Sequence, residues 1–255
     1  MATISYAGLS DLGRVRTENE DHWFADPGQG LYLVADGIGG SAAGGLASQI
    51  VAEVLPRLFQ NRFHKANDLA GPEIAKQASA ALVELSERLR QESRNAVGLN
   101  GMGSTVVLAL VRDRHAVVAH MGDSRAYRLR AGGMEQLTKD HTIAQLLVDR
   151  GELAPEEAAS HPAHSQLTRF VGMSTGAIPE TKCIELTPGD RLLLCSDGLT
   201  GMLGDQQILE ILCRQAVPEE ACRELIDAAN RAGGKDNVTA VVVAISNNAA
   251  RDRSV

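Results

Sequence analysis

Apolar stretches and helical patterns alternate along the first third of the chain. Ile4–Leu9 and Leu31–Ala35 predict strands, and the second is apolar throughout, which is typical of a strand covered on both faces. From Ser41 onwards the apolar residues fall at helical spacing, and Pro56 is expected to kink or interrupt that helix. A second amphipathic helix is predicted over Pro72–Arg94, with proline at its first position.

The remainder of the chain predicts further strands and helices. Strands are predicted at Ser104–Val111, His115–Met121, Arg125–Leu129 and Met134–Leu137, followed by helical pieces at Thr142–Arg150 and Pro155–Ser160. Strands at Gln166–Val171, Lys182–Leu186 and Arg191–Cys195, helices at Gln206–Arg214 and Pro218–Arg231, and a last strand at Val238–Ile245 complete the list. Short turn-like connections between the middle strands favour antiparallel hairpins and leave no room for crossover helices.

This order of elements predicts an α+β fold. Strands that are apolar on both faces need cover on both sides, and two stacked antiparallel sheets with helices outside each provide it. We therefore expect a four-layer αββα sandwich. Residues 1–246 are expected to form a single domain, because no repeat or low-complexity linker divides them, and 247–255 to form a polar tail.

Composition excludes several classes of protein. The chain has 255 residues, of which 44% are hydrophobic and 22% charged, and its net charge of −7 lacks the basic footprint of a nucleic-acid-binding protein. The longest apolar runs are too short to span a bilayer, and the N-terminus lacks the features of a signal peptide. The 4 cysteines show no metal-site spacing. We expect a cytoplasmic protein with reduced thiols and no membrane or nucleic-acid partner.

Aspartates recur where predicted strands begin or end. Asp36 and Asp197 each follow an apolar strand and precede a glycine, Asp123 follows a glycine at a third strand end, and Asp236 stands just before the last strand. A single Asp-Gly pair is usually a turn. Carboxylates that converge repel one another unless a cation or a proton lies between them, and an all-oxygen ligand set suits Mg²⁺ or Mn²⁺.

The segment before the second predicted strand adds charges of both signs. Arg14, Arg16, Glu20 and Asp21 lie within eight positions of each other. They could form an exposed charged loop, or an arginine fork for a phosphate beside metal ligands. Two metal ions would activate a water and stabilise an in-line displacement, so the corresponding reaction is the hydrolysis of a phosphate ester.

Six short motifs occur in a telling order. They are Arg16-x-x-Asn19-Glu20-Asp21, Val34-Ala35-Asp36-Gly37-Ile38-Gly39-Gly40, Gly122-Asp123-Ser124-Arg125, Leu137-Thr138-Lys139-Asp140-His141, Ser196-Asp197-Gly198 and Lys235-Asp236-Asn237. The chain resembles, from about Ala7 to Ile245, the type 2C metal-dependent (PPM) serine/threonine protein phosphatases of bacterial type. The resemblance implies the same two-sheet sandwich and the hydrolysis of phosphoserine and phosphothreonine in proteins.

The resemblance also implies a metal centre with two or three Mn²⁺ or Mg²⁺ ions. Asp36 would bridge two ions, and the Gly37 carbonyl would bind one of them. Asp197 and Asp236 would complete the shell of the other ion. Asp123 would hold a weaker third ion together with Asp197.

Further roles follow from the same resemblance. Glu20 and Asp21 would act through metal-bound water or support the site, and Arg16 would hold the substrate phosphate. Residues 150–175 would form a mobile flap, with His161-Pro-Ala-His164 as a flap feature and not a metal site. The partners would be phosphorylated proteins and a cognate Ser/Thr kinase system, and we expect a monomer.

One departure and two other functions are weighed against this interpretation. Bacterial members of the family commonly carry a histidine where this chain has Ser41, which is expected here to cap the following helix. The run Gly37–Ala42 matches the loose G-x-G-x-x-A fingerprint of a nicotinamide enzyme, although Asp36 would then face the pyrophosphate. A catalytically inactive phosphoprotein-binding module is the other alternative, disfavoured because every metal-binding carboxylate position is filled.

Overall fold

Two antiparallel sheets are flanked by helices in the computed structural model, which describes residues 3–39, 42–64, 66, 69, 71–95, 101–174, 176 and 178–246. The strands are β1 (Thr3–Asp11), β2 (Asp21–Asp26), β3 (Leu31–Ile38), β4 (Gly103–Ser104), β5 (Val106–Arg112), β6 (His115–Met121), β7 (Arg125–Arg130), β8 (Gly133–Gln136), β9 (Glu180–Glu185), β10 (Arg191–Cys195) and β11 (Val238–Ser246). The helices are α1 (Ala42–Phe63), α2 (Pro72–Asn95), α3 (Ile143–Asp149), α4 (Asp197–Thr200), α5 (Asp205–Arg214) and α6 (Pro218–Arg231), with a 3₁₀ helix at Pro155–Ser160. Ser41 and the tail at 247–255 lie outside the described residues.

The strands form two antiparallel sheets, as predicted. One sheet has the order β1-β11-β10-β7-β8, and the other has the order β2-β3-β5-β6-β9 with β4 paired to β3. Every pairing between the described strands is antiparallel. The chain therefore crosses between sheets several times, and residues distant in sequence meet at the strand ends.

Alternation along the strands produces three apolar layers. In β3, Leu31 and Leu33 pack against α1 and α2, whereas Tyr32 and Val34 face the second sheet. Strand β11 shows the same period of two, with Val242 packed among the residues of α5 and α6. Three buried layers of this kind separate four layers of secondary structure, so the αββα sandwich is confirmed.

The structure differs from the predicted elements in four places. Strand β2 was not predicted, and α1 continues through Pro56 instead of being interrupted. The predicted strand at Gln166–Val171 is absent from the described structure, where only isolated bridges join Leu167 to Thr142 and Val171 to Ser104. The predicted hairpins form between β5 and β6 and between β7 and β8, but not between β6 and β7, which belong to different sheets.

No helix within the described ranges is both long and apolar enough to cross a membrane. All four cysteines are free thiols, and two of them, Cys195 and Cys222, are buried.

Candidate active site: aspartates at one end of the sandwich

Aspartates from six strands meet at one end of the two sheets. Asp21 begins β2 and pairs in register with Asp36 of β3. Asp123 lies between β6 and β7, Asp197 begins α4 two residues after β10, and Asp236 lies two residues before β11. These strand ends coincide because neighbouring antiparallel strands reverse direction at the same edge of the sandwich.

Hydrogen bonds to neighbouring strands fix the backbone at Asp36. Its carbonyl oxygen accepts the Thr105 N–H at 2.8 Å and the Ser104 hydroxyl at 3.0 Å. Its own N–H donates to Thr105 Oγ1 at 3.1 Å, and that hydroxyl lies 2.7 Å from Ser124 Oγ. The Asp36 side chain is therefore held on a rigid backbone and is not carried by a free turn.

The glycines after Asp36 and Asp197 are required by close packing. A Cβ atom on Gly37 would overlap the carbonyl oxygen of Gly44 in α1, and one on Gly198 would overlap the carbonyl oxygen of Asn237. Both glycines allow two backbone segments to touch where a side chain would separate them. The repeated Asp-Gly pattern therefore reflects close backbone approach at the site.

Asp36 and Asp197 share a hydrogen bond between their carboxyl groups. Enclosure by the protein, together with the charges of Asp21, Asp197 and Asp123, raises the pKa of Asp36 well above its usual range. Enclosure and the charge of Asp236 likewise raise the pKa of Asp197. Two carboxyl groups can share a hydrogen bond only if one of them carries a proton. The cluster takes up that proton because its carboxylates together carry more negative charge than the surrounding protein neutralises.

Asp21 is buried beside this pair and is incompletely bonded. Ser196 donates its hydroxyl proton to Asp21 Oδ2 at 2.7 Å, whereas Asp21 Oδ1 is buried without a hydrogen-bond partner. Burial raises the pKa of Asp21 to about 7, against the opposing effect of the Ser196 hydrogen bond. Ser196 also accepts the Thr239 N–H at 3.0 Å and is fully buried, so its hydroxyl is positioned to orient Asp21 and is closed to a substrate.

Glu20 packs against the start of α1. Its carboxylate accepts the N–H of Gly45, and its Oε1 is buried beside Gly44 with no hydrogen-bond partner. Burial is the main reason that the pKa of Glu20 is raised. The Glu20 carbonyl oxygen accepts the Gly37 N–H at 3.2 Å, which ties Glu20 to the glycine after Asp36.

Arg16 brings a positive charge to the rim of the cluster. Its Nη2 donates to Asp236 Oδ2 at 2.7 Å, with 48% of the Arg16 side chain and 36% of the Asp236 side chain exposed. The hydrogen bond to Asp236 is the largest cause that raises the pKa of Arg16, and the charges of Asp236, Glu20 and Asp36 act in the same direction. An exposed guanidinium beside enclosed carboxylates can bind a phosphate at the mouth of the site.

A cavity of about 350 Å³ opens beside the aspartates. Asp123 and Asp197 line it, as do Pro155, Ala158 and His164. The last three belong to residues 150–175, the segment expected to form a flap. Ring atoms of His161 and His164 bond to the local backbone, with the Ala163 N–H donating to His161 Nδ1 at 3.1 Å and His164 Nδ1 lying 2.9 Å from the His161 carbonyl oxygen.

Two histidines and a glutamate lie together near this cavity. The candidate ligand atoms of His120, His141 and Glu180 all lie within 4.8 Å of one another. The imidazole rings are stacked, with centroids 4.4 Å apart and planes 18° apart, so their in-plane lone pairs do not converge on one point. His141 also accepts the Gly122 N–H at 3.2 Å, and an Arg169 nitrogen lies 3.3 Å from its other ring nitrogen. We assign no metal ion to this group.

The aspartate cluster, in contrast, fits divalent cations. Its donors are oxygens alone, one of them an Asp21 oxygen that is buried without a partner, and burial together with mutual repulsion raises its carboxyl pKa values. A cation at this place would satisfy that oxygen and remove the repulsion. The arrangement can therefore hold Mg²⁺ or Mn²⁺ beside a guanidinium that can bind a phosphate.

Sequence reasoning missed the residues that support the cluster. Thr105, Ser124 and Ser196 donate or accept through their hydroxyl groups. The two serines stand inside the motifs given above without a role, and Thr105 looks like an ordinary strand residue. Asn237 was quoted within a motif but given no role, and it bonds to the segment around Arg16. Its position directly after Asp236 was the one available signal.

Comparisons with known proteins agree with this geometry. Residues 14–234 match the family model described as Protein phosphatase 2C. The "Serine/threonine protein phosphatase PstP" of Mycobacterium tuberculosis is 42% identical over 241 residues, which cover 94% of this chain but only 44% of that protein. The "Serine/threonine phosphatase stp" of Listeria monocytogenes is 34% identical, with 92% of this chain and 93% of that protein covered.

A solved structure agrees at the level of the fold. The catalytic domain of the serine/threonine protein phosphatase PstP, described as a complex with 2 manganese ions, superposes with a TM-score of 0.83 at 36% identity. The match covers 97% of this chain and 100% of that structure. This chain therefore spans the whole of a relative's catalytic domain and less than half of the full mycobacterial protein.

Proposed function

The chain belongs to the protein phosphatase 2C family, and we propose that it hydrolyses phosphoserine and phosphothreonine in proteins with the help of divalent metal ions. The observation that carries this proposal is the Asp36–Asp197 carboxyl pair, whose pKa values are raised by burial and by the charges of three further aspartates. A chain that builds such repulsion at one edge of its core needs a cation there. The relative that contains 2 manganese ions supports Mn²⁺ as one such cation.

The metal-holding residues would be those at the strand ends. Asp36, the Gly37 carbonyl, Asp197 and Asp236 would hold two Mn²⁺ or Mg²⁺ ions, and Asp123 would hold a third with Asp197. When bound, such ions supply a water of lowered pKa and electrostatic stabilisation of the charge that develops in phosphoryl transfer. Asp21 would orient the polar groups around them, since Ser196 fixes one of its oxygens and leaves the other free.

Arg16 would bind the substrate phosphate. Its side chain is half exposed, and its ion pair with Asp236 is a surface contact that a phosphate dianion can replace. A guanidinium presents several donors in one plane, which match two oxygens of a phosphate. Arg16 would thereby orient the phosphorus atom towards the aspartate cluster, and Glu20 would support the loop that carries it.

Residues 150–175 would act as a flap over the cavity. The segment is joined to the rest of the fold through Val171, which exchanges two backbone hydrogen bonds with Ser104, and through Arg169, which donates to Glu180 at 2.9 Å. Between these points and α3 it lines the cavity that reaches Asp123 and Asp197. A phosphorylated side chain would enter between the flap and the aspartates.

The nicotinamide-enzyme alternative does not survive the topology. The fingerprint Gly37–Ala42 requires a parallel β-α-β unit, but the strands that follow α1 and α2 run antiparallel to β3. An inactive phosphoprotein-binding module has the same fold and is separated only by an activity assay. Partners would be phosphorylated proteins together with the Ser/Thr kinase that supplies them. The enzyme would be a cytoplasmic monomer, and its free thiols fit a reducing compartment.

Hydrolysis of phosphopeptides tests the proposal directly. The chelator-treated chain should be inactive on phosphoserine and phosphothreonine peptides, and added Mn²⁺ should restore phosphate release. Hydrolysis that continues in excess chelator, or a trapped covalent phosphoenzyme, would contradict it. Phosphopeptide binding without turnover in Mn²⁺ would favour the inactive module instead.

A further inference from the structure

We propose that Asn237 is a positioning residue, which holds the segment carrying Arg16 in place and thereby sets the affinity for the substrate phosphate. This inference rests on the phosphatase function proposed above. It assigns a role to a buried amide beside the metal-binding carboxylates.

Asn237 bonds to the Arg16 segment on both sides of the arginine. Its Nδ2 donates to the carbonyl oxygens of Leu12 at 2.9 Å and Glu18 at 3.0 Å. Its Oδ1 accepts the Glu20 N–H at 2.8 Å. The residue is only 5% exposed, so these hydrogen bonds do not compete with bulk water.

The segment between these contacts has little other support. Residues 12–20 contain no helix or strand, and most of their side chains are exposed. The Arg16–Asp236 ion pair is exposed on both sides, and pairs of this kind contribute little to holding a loop. Beyond these, the Arg14 N–H donates to the Gly234 carbonyl at 2.7 Å before Arg16, and Asn19 Nδ2 donates to Ser10 Oγ at 2.8 Å after it.

Asn237 is also tied to the carboxylate beside it. Its backbone N–H donates to Asp236 Oδ1 at 2.8 Å. This bond survives any change of the Asn237 side chain, so truncation should release the Arg16 segment without removing the Asp236 contact. The two effects of the residue can therefore be separated by mutation.

The expected consequence is a loss of substrate affinity. Without the amide, Arg16 must be ordered when the phosphate binds, and that ordering lowers affinity. We expect Asn237→Ala to raise KM for a phosphopeptide about tenfold. A tenfold change in affinity has about the same free energy as the net contribution of one well-made hydrogen bond. The change in kcat should be below about threefold on the same grounds.

A double-mutant cycle with Arg16→Ala separates positioning from general destabilisation. If Asn237 acts through Arg16, Asn237→Ala should raise neither KM nor the inhibition constant of inorganic phosphate any further in the Arg16→Ala background. Asn230→Ala is the matched control: Asn230 is also buried and donates to Asp11 Oδ1 at 2.9 Å, at the far end of the same region. That control should leave KM unchanged. An additive rise in the double variant would overturn the proposal.

Hydrogen exchange gives a readout that does not depend on activity. Asn237→Ala should speed amide exchange of residues 12–20 while exchange in β11 stays as in the wild type. Unchanged exchange of 12–20 would overturn the proposal.

A second variant covers the case in which the alanine variant fails to fold. Asn237→Asp keeps the shape of the side chain but places an oxygen against the Leu12 and Glu18 carbonyls, and the same results are expected. If the wild type hydrolyses no phosphopeptide, the proposed function fails, and the exchange measurement still decides whether Asn237 holds the segment.

Discussion

The two ends of strand β10 carry aspartates of opposite character. Asp190, just before the strand, is 1% exposed and accepts from Arg130 Nε at 2.8 Å, Arg130 Nη2 at 2.6 Å and the Thr187 N–H at 2.7 Å. Burial alone would raise the pKa of Asp190, but these hydrogen bonds and the Arg130 charge outweigh it and lower the pKa. The chain supplies its own counter-charge at this end.

Asp197, just after the strand, has other carboxyl groups as neighbours. It shares a hydrogen bond with Asp36, and enclosure together with the charge of Asp236 raises its pKa. The difference between the ends teaches how function can be inferred from charge. At Asp190, which stabilises the fold, the neutralising cation is Arg130 of the same chain. At the Asp36–Asp197 pair, the buried carboxyl groups have one another as neighbours, and we expect the neutralising cation to be a metal ion from solution.

The largest effect on activity is expected from a substitution in the aspartate cluster at the Asp197 end of β10. Asp36→Asn removes one charge from the set that would hold the metal ions, and kcat should fall about a thousandfold or more because metal ions contribute several kcal/mol to such reactions. The thermal midpoint in chelator should not fall, since the substitution also removes repulsion. The assay is steady-state phosphopeptide hydrolysis at saturating Mn²⁺, with Asp190→Asn as a control that keeps its kcat. Near-normal turnover by Asp36→Asn would refute the assignment.

A substitution of Asp190, at the other end of β10, should instead lower the stability of the fold. Asp190→Ala removes the acceptor of the Arg130 guanidinium and the Thr187 N–H, and loss of these hydrogen bonds to a buried carboxylate should lower the free energy of unfolding by about 2 kcal/mol. Activity measured below the melting range should be unchanged, because Asp190 lies at the opposite end of β10 from the cluster. Urea denaturation gives the first quantity. A variant as stable as the wild type would show that the Arg130 contact does not stabilise the fold.

Asp123 is an intermediate case that sharpens the comparison. Burial and the charges of Asp197 and Asp140 raise its pKa, whereas Arg125 acts in the opposite direction while bonded to Asp140 at 2.9 and 2.7 Å. Asp123→Ala should therefore lower kcat about tenfold, as the loss of one outer ligand would, and leave the tighter Mn²⁺ sites intact. Calorimetric titration checks this, and simultaneous loss of all Mn²⁺ binding would be the contrary result.

The smallest effect concerns how the stability contributed by Asp190 depends on pH. The pKa of Asp190 is lowered on folding, so its contribution to stability is present above the unfolded value of about 3.9 and is lost as pH falls through the folded value. The difference in unfolding free energy between the wild type and Asp190→Asn should therefore shrink by about 1 kcal/mol between pH 7 and pH 3. A constant difference across that range would show that Asp190 is not stabilised as an anion.

Much of the fold could be predicted because apolar periodicity is a local signal. The runs at Leu31–Ala35 and Val238–Ile245 carry a pattern that any buried strand needs, and both are strands. Strand β2 was missed because Asp21–Asp26 begins and ends with acids and its central residues do not alternate. Its pairing with β3 provides what the sequence pattern lacks.

Other errors came from signals that tertiary contacts override. Pro56 lies within α1, where burial of Leu55 and Phe59 against the sheet sustains the helix around it. The residues around Leu167 look like a strand, but they lie in the segment that lines the cavity and make only isolated bridges. Propensity describes one segment at a time, and these segments are decided by their neighbours.

The carboxylates of the candidate site could be predicted, but their supports could not. Each strand-end aspartate is visible because it interrupts an apolar pattern. The hydrogen bonds from Asn237 to Leu12 and Glu18 join residues more than two hundred positions apart, and nothing local to either segment signals them. The same holds for Ser196 and Asp21, which meet only because β2 and β10 lie in facing sheets.

Calorimetric titration of the chelator-treated chain with Mn²⁺ tests the central claim most directly, because it measures whether the aspartate cluster binds the cation that would neutralise it. The wild type and Asp190→Asn should each bind about two ions tightly, as a two-metal phosphate-ester site requires. Asp36→Asn should lose that binding while remaining folded. Equal Mn²⁺ binding by the wild type and Asp36→Asn, or its loss in folded Asp190→Asn, would contradict the account.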